Sequence, residues 1–410
     1  MVRSSRLVRS SVCLAFLLAV PPAQAFKIPE SLQGLGNLGK ALLERPSFSD
    51  ADEEKMARAN AQKFEASNKM WADPLLDAYL NGLMQKVLAV AHPRPFQYTI
   101  RVVSDGSINA FTFGGGALYI HAGLLARMEN EAQFMMVLAH EIAHVTQRHI
   151  PRGIEGNYGI QLLGQIAAST ATASGATSSI PPELLQKTYE YSMNASISGH
   201  GRSHETEADV VGMDYLVKTG YDPREAAKTF QVLLQEYGDK GAVENFFYGS
   251  HPTNQARIAH LNELARTKYA DVAKRPNLVV NSDDYKQRTR AMVVLAAQHN
   301  YKVKRYNTAA ALFNRALETK GDDPTTHYFL GKIAMDTSGA AGADKAIGHF
   351  NAALKVNNNF VEPYRELGLA YYLKKDSANA LRAFERYLAL NPRAADAGPI
   401  RGYIDELKAR

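Results

Sequence analysis

Residues 138–145 read Leu138-Ala139-His140-Glu141-Ile142-Ala143-His144-Val145. They close a stretch, Ala132–Val145, with no glycine or proline and many Ala, Met and Leu residues, which favour helix. Asn130 is a good N-cap, and Glu131 sits where the helix dipole favours negative charge. Because most of the segment is apolar, the helix is predicted to be buried. Residues four apart on a helix share a face, one turn apart. His140 and His144 can therefore aim two imidazoles at one metal ion. Glu141 is rotated by ~100° from His140, outside the ligand set but within reach of a water held there. Two buried histidines need polar partners, and a metal ion satisfies both. At this stage core histidines bonded to backbone remain the competing reading.

A third ligand lies further along. Residues 204–209 read His204-Glu205-Thr206-Glu207-Ala208-Asp209. Glu205 and Asp209 are again four apart, so one helical face carries both. Glu205 is assigned as the third ligand. Asp209 is placed behind it, accepting from the far nitrogen of a ligating histidine and fixing its tautomer. Glu207 points about 200° away, and His204, in a loose Ser-Gly-His-Gly-Arg setting, ranks below Glu205. His149 is expected to point away from the metal face, near a helix end set by Pro151. Two His and one Glu as ligands, with a neighbouring base, make the site of a gluzincin, a zinc-dependent peptidase in which zinc lowers the pKa of water towards ~7.

These residues carry a resemblance. Asn109-Ala110-Phe111, Gly116, the His140–His144 run and Arg202–Asp209 resemble the peptidase family of HtpX, the mitochondrial Oma proteases and the CAAX prenyl proteases. Within it, the likeness is to the periplasmic BepA-type proteins, which join the peptidase to a TPR domain. It covers about residues 75–270 and the layout of the whole chain. The resemblance implies one zinc ion on His140, His144 and Glu205. One departure is Gly201, where a Ser is common.

Ser250-His251-Pro252-Thr253-Asn254-Gln255-Ala256-Arg257 is a second match. The resemblance implies that His251 can take the fourth zinc position and hold the enzyme latent. Its residues alone indicate a turn before a helix with Pro at N1, in which His251 is a loop histidine. Arg257 has two readings: stabilising the oxyanion of a tetrahedral intermediate, or pairing with a nearby carboxylate.

Upstream, Phe96–Val103 alternates and is β-rich, and Gly114-Gly115-Gly116 leads into Ala117-Leu118-Tyr119-Ile120. This reads as strand, glycine turn, strand. Such an edge strand can hold extended substrate backbone by β-augmentation; a plain hairpin is the equal alternative. No Gly-Lys-Ser/Thr follows the glycines, which excludes a phosphate loop.

At the N-terminus Arg3, Arg6 and Arg9 precede the apolar run Val12–Val20, and Ala23-Gln24-Ala25 follows. That is a secretory signal peptide with cleavage expected after Ala25, too short for a membrane anchor, and it implies a periplasmic protein. Cys13, the single cysteine, would leave with it, so stability must come from core packing and zinc. The formal charge of +6 falls to +3 once the three arginines go, too weak for nucleic-acid binding.

Beyond Ala270 the text turns helical and repetitive. Ala309, Ala346 and Ala380 align, as do Phe313, Phe350 and Phe384, at spacings of 37 and 34. Leu330-Gly331 aligns with Leu367-Gly368. The period is that of TPR helix pairs, and the longer first spacing is assigned to an extra turn at Ser338–Gly342. Stacked TPRs offer a concave protein-binding surface.

The resulting layout is α+β. A signal peptide (1–25) and an N-terminal helical extension (26–75) precede a mainly helical gluzincin-type peptidase domain with a small sheet (76–270). A linker (271–285) then leads to an all-α TPR solenoid (286–410). Residues 152–201 are read as a lid or membrane-facing element, compatible with peripheral membrane association. The implied function is a periplasmic zinc endopeptidase with chaperone activity in quality control or assembly of outer-membrane proteins. Unfolded or misassembled outer-membrane proteins would be its substrates, and the outer-membrane assembly machinery a candidate TPR partner. The alternative is a TPR chaperone or assembly scaffold whose zinc site is structural or latent.

Overall fold

The computed structural model describes residues 48–153, 155, 202–237 and 255–409. The leader, all of 26–47, the greater part of 152–201, and His251 lie outside the described residues.

The helix carrying the two histidines forms as its sequence requires. The first elements are α1 (Asp50–Ser67), α2 (Pro74–Ala91), β1 (Thr99–Val103), β2 (Ala110–Thr112), β3 (Ala117–His121), α3 (Ala122–Leu125) and α4 (Glu131–Thr146). Asn130 caps α4, its side chain accepting from the Gln133 amide at 2.9 Å. Every residue from Glu131 to Val145 is buried. Pro151 does not end the helix: it stops at Thr146, and the chain turns through Arg148, whose φ of 57° is left-handed. A left-handed residue after a helix closes off the last carbonyls and folds the next residue back on the helix.

The sheet has the order β1-β3-β2. β2 and β3 pair antiparallel around the glycine turn, with Ala110 opposite Ile120. β1 pairs parallel with β3, Thr99 opposite Ala117. The predicted strand–turn–strand therefore needs correction. The glycines join β3 to β2, a three-residue strand whose side chains are all buried and so show no alternation. Gly114 and Gly116 have φ of 85°, a conformation that side chains rarely tolerate. Helix α1 lies across this sheet. Its Phe64 ring sits 5.0–5.8 Å from those of Phe111, Phe113 and Tyr119, and buried Glu53 accepts from the Gly115 amide at 3.3 Å.

Next come α5 (Arg202–Lys218), α6 (Arg224–Tyr237), α7 (Gln255–Arg266) and α8 (Ala270–Ala273). α5 packs on α4 with Gly212 at the crossing, where a Cβ would lie 3.0 Å from the His140 amide nitrogen. Glycine lets the two backbones meet this closely; a Cβ there would push them apart by a few tenths of an ångström.

The remainder is helical: α9 (Ser282–Lys302), α10 (Tyr306–Thr319), α11 (Pro324–Ser338), α12 (Ala343–Val356), α13 (Val361–Leu373), α14 (Ser377–Leu390) and α15 (Ala397–Ala409). Consecutive helices pack as hairpins. The repeated glycines explain themselves: a Cβ at Gly331 would strike the Phe350 ring, and one at Gly368 the Phe384 ring. A 3-10 turn, Gly339–Gly342, occupies the longer first spacing. Residues 271–285 are not a slack connection. Val279 bridges Tyr221, the Asn281 side-chain Nδ2 donates to the Glu131 carboxylate at 2.6 Å, and the buried Tyr285 hydroxyl donates to the Leu125 carbonyl at 2.8 Å. Arg315 on α10 adds bonds to the carbonyls of Ala126, at 2.8 Å, and Met128. Among the described residues no helix is long and apolar enough to cross a membrane.

Candidate metal centre

Helix α4 presents His140, Glu141 and His144, and α5 crosses it with Glu205 and Asp209. All five side chains are buried. His140 Nε2 and His144 Nε2 are 3.0 Å apart, and each is 3.5 Å from a Glu205 carboxylate oxygen. One donor atom from each of the three lies within 4.8 Å of the others. Two imidazole nitrogens at 3.0 Å cannot both present lone pairs to each other without a proton or cation between them. Burial opposes charge on His140, but the Asp209 and Glu205 carboxylates prevail and raise it to about 9. The place is thus built for positive charge. Its donor set, two imidazoles and a carboxylate, suits a borderline cation such as zinc.

Asp209 stands behind this cluster, its Oδ1 3.1 Å from His140 Nδ1. Arg257, on α7, grips it with both prongs, Nε to Oδ2 at 2.8 Å and Nη2 to Oδ1 at 2.7 Å. The same guanidinium reaches Glu205 Oε2 at 3.0 Å and lies over the Phe230 ring at 4.5 Å. Of the two readings of Arg257, the structure places it in the carboxylate pairing. Burial alone would raise Asp209, but Arg257 and His140 hold its carboxyl below the usual range. Asp209 therefore stays an acceptor, which keeps the proton of His140 on Nδ1 and leaves Nε2 for a metal.

His149 corrects its expected placement. It does not point away: it is buried, with Nδ1 2.7 Å from His144 Nδ1. The turn at Arg148 brings it there. His149 Nε2 is 3.3 Å from Glu207, which Arg152 holds at 2.8 Å. Glu207 thus faces away from the metal cluster, as its helical angle predicted. His204 is outside the three-ligand group and stacks on His149, centroids 4.5 Å apart. Burial pushes His149 down to about 4, with His204 acting in the same sense and Glu207 against it. Neither the five-residue interval from His144 nor the non-glycine at 148 signals this contact.

Beside the centre, β2 packs against α4 at the end of the sheet order. Asn109, just before it, has its side-chain amide buried without a hydrogen-bond partner among the described residues.

A buried ligand triad with a carboxylate one residue along, on crossed helices beside a short sheet, is the construction of a metallopeptidase domain. Residues 74–265 match the sequence model of Peptidase family M48, and the chain carries an M48 domain over that span. Among curated proteins, a Vibrio cholerae protein is 30% identical over 281 residues, covering 66% of this chain and 54% of its own. The Beta-barrel assembly-enhancing protease of Yersinia pestis is 25% identical over 369 residues, 81% of this chain and 72% of its own. The protein of that name in Escherichia coli K12 is 27% identical over 245 residues, 58% and 48%. The chain thus spans about half the length of the Vibrio and Escherichia relatives and more of the Yersinia one.

Proposed function

We propose that this chain is a zinc-dependent endopeptidase acting on outer-membrane β-barrel proteins. The observation that carries the chemistry is the convergence of His140, His144 and Glu205 at bonding range inside the protein, with Glu141 beside them. Zinc, when bound, would polarise the scissile carbonyl and acidify a water. His140, His144 and Glu205 would hold the ion, and Asp209 with Arg257 would keep His140 and Glu205 oriented. Glu141 takes the proton of the attacking water on its carboxylate and returns it to the departing amine nitrogen. β2, the end strand of the sheet, is the place where an extended substrate would add by backbone pairing. The name shared by the Yersinia and Escherichia relatives supports a substrate among β-barrel proteins in assembly.

The helical hairpins of 282–409 are read as a TPR array, on the strength of the 34-residue period and the Gly–Phe contacts between paired helices. In this reading they bind client chains or the outer-membrane assembly machinery and lend a chaperone activity. The leader pattern of residues 1–25 supports a periplasmic site of action. His251 is the gate that the family resemblance implies.

The test uses the purified protein, its Glu141→Gln variant and its His251→Ala variant on unfolded outer-membrane proteins. Glu141→Gln should keep zinc and lose cleavage by roughly a hundred- to ten-thousandfold. His251→Ala should cleave faster than the parent protein. Failure of both the parent and His251→Ala to cleave while holding zinc would leave a structural site and overturn the peptidase reading.

A further inference from the structure

The two histidines of the centre are supported by different devices. His140 turns its Nδ1 directly to a carboxylate, Asp209, at 3.1 Å. His144 turns its Nδ1 to another imidazole, His149 Nδ1, at 2.7 Å. The His149 ring stands at 75° to that of His144, with centroids 4.7 Å apart, so the contact is edgewise along the nitrogens rather than a stack. Beyond it, His149 Nε2 lies 3.3 Å from Glu207 Oε2, and that oxygen is held by Arg152 Nη1 at 2.8 Å. His204 lies flat against the His149 ring, the two planes 4° apart, and limits its rotation.

Hydrogen-bond direction along this row is forced. A histidine that ligates through Nε2 carries its proton on Nδ1. His144 Nδ1–H must then donate, and His149 Nδ1 must accept. An imidazole that accepts at Nδ1 carries its proton on Nε2, which points at the Glu207 carboxylate. Each member of the row thus sets the tautomer of the one before it, and the row ends on an ion pair at the domain surface.

We propose that His149 is a positioning residue for the metal centre, holding His144 in the Nε2-ligating tautomer and anchoring it through Glu207 and Arg152. This inference rests on the metal-centre reading given above. The imidazole does for His144 what the Asp209 carboxylate does for His140, but as a neutral relay. A second carboxylate directly against His144 would have placed three negative groups around the ligands in addition to Glu141. The relay keeps the negative end of the row, Glu207, outside the buried cluster and paired with Arg152.

The experiment measures zinc content and zinc affinity by competition with a chromophoric chelator, on the full chain. It compares the parent protein with His149→Ala, His149→Gln and Glu207→Ala, alongside thermal melts of each zinc-free protein. His149→Ala should weaken zinc binding about 10- to 100-fold. His149→Gln should stay within a few-fold of the parent, because an amide can accept from His144 and donate to Glu207. Glu207→Ala should lose several-fold. If the parent binds no zinc, the metal-centre reading itself fails. If the parent binds zinc and His149→Ala binds it equally well, the positioning role is overturned. It is likewise overturned if His149→Gln is as weak as His149→Ala, since a packing role would not distinguish acceptor from methyl. Should His149→Ala not fold, Glu207→Ala decides: unchanged zinc affinity there overturns the relay.

Discussion

At the scale of single residues, the centre depends on charge balance in a buried place. Arg257 is surrounded by Asp209 and Glu205, and both carboxylates are buried with it. Replacing one partner of such a cluster strands the other charges. Arg257→Leu should destabilise the zinc-free protein by about 3–5 kcal/mol, with part of the loss recovered on adding zinc; urea melts with and without the ion measure both. His121 offers a pH test away from the ligands. It is buried, Nδ1 2.9 Å from Ser107 Oγ, and burial pushes it down to about 4 despite the opposing pull of Asp105. The unfolded chain binds that proton near ~6.5, so the contribution is whole above that value and lost as pH falls towards 4. In chelator, the parent should lose up to about 3 kcal/mol more than His121→Gln between pH 7 and 4.5; equal slopes for the two would refute it. The ligands and Glu141 were legible because helical spacing alone puts His140 with His144 and Glu205 with Asp209. His149 was not, because its position follows from one left-handed residue, Arg148, that no local pattern marks.

At the scale of elements, the crossing of α4 and α5 decides whether ligands from two parts of the chain meet. Gly212 sets that distance, since a Cβ there would press on the His140 backbone at 3.0–3.1 Å. Backbone cannot rotate aside as a side chain can. Gly212→Ala should therefore cost about 1–3 kcal/mol and also weaken zinc binding, as Glu205 and Asp209 shift relative to His140. A melt that falls while zinc affinity holds would show that the helices part elsewhere. The sequence carried the glycine but not its neighbour. The small sheet was half legible for a related reason. β1 and β3 are each five residues long and β-rich enough to be read, whereas three-residue β2 is buried throughout and too short to show a pattern. The β1–β3 pairing is parallel, which no strand–turn–strand pattern announces.

At the scale of the whole molecule, the helical array is seated on the peptidase domain rather than tethered to it. Tyr285 and Arg315 end on the carbonyls of Leu125, Ala126 and Met128, and Ala126 packs within the apolar cluster of α9 and α10. Arg315→Ala removes two of these bonds and should loosen the seat by about 1–3 kcal/mol. The expected readout is faster limited proteolysis around 274–280 with little change in far-ultraviolet circular dichroism; unchanged proteolysis would mean that Tyr285 and the apolar contact suffice. The repeats were legible from their period because each Gly–Phe contact recurs with the spacing of the helix pair. The seat was not, because the Pro, Asn and Asp residues of 271–285 read as a spacer when their partners are 150 residues earlier in the chain.

One of those partners has a mechanical meaning. Asn281, directly before the first helix of the array, donates to Glu131, the first residue of α4. Glu131 also receives the hydroxyls of Tyr79 and Tyr221. From Glu131 to His140 the helix runs nine residues, about 13 Å of stiff rod. Any pull on the array would therefore load the near end of the rod whose far end carries the paired imidazoles of His140 and His144. The two tyrosines act as its bearing: they brace that end against sideways play, so that strain reaching the centre is directed along the rod.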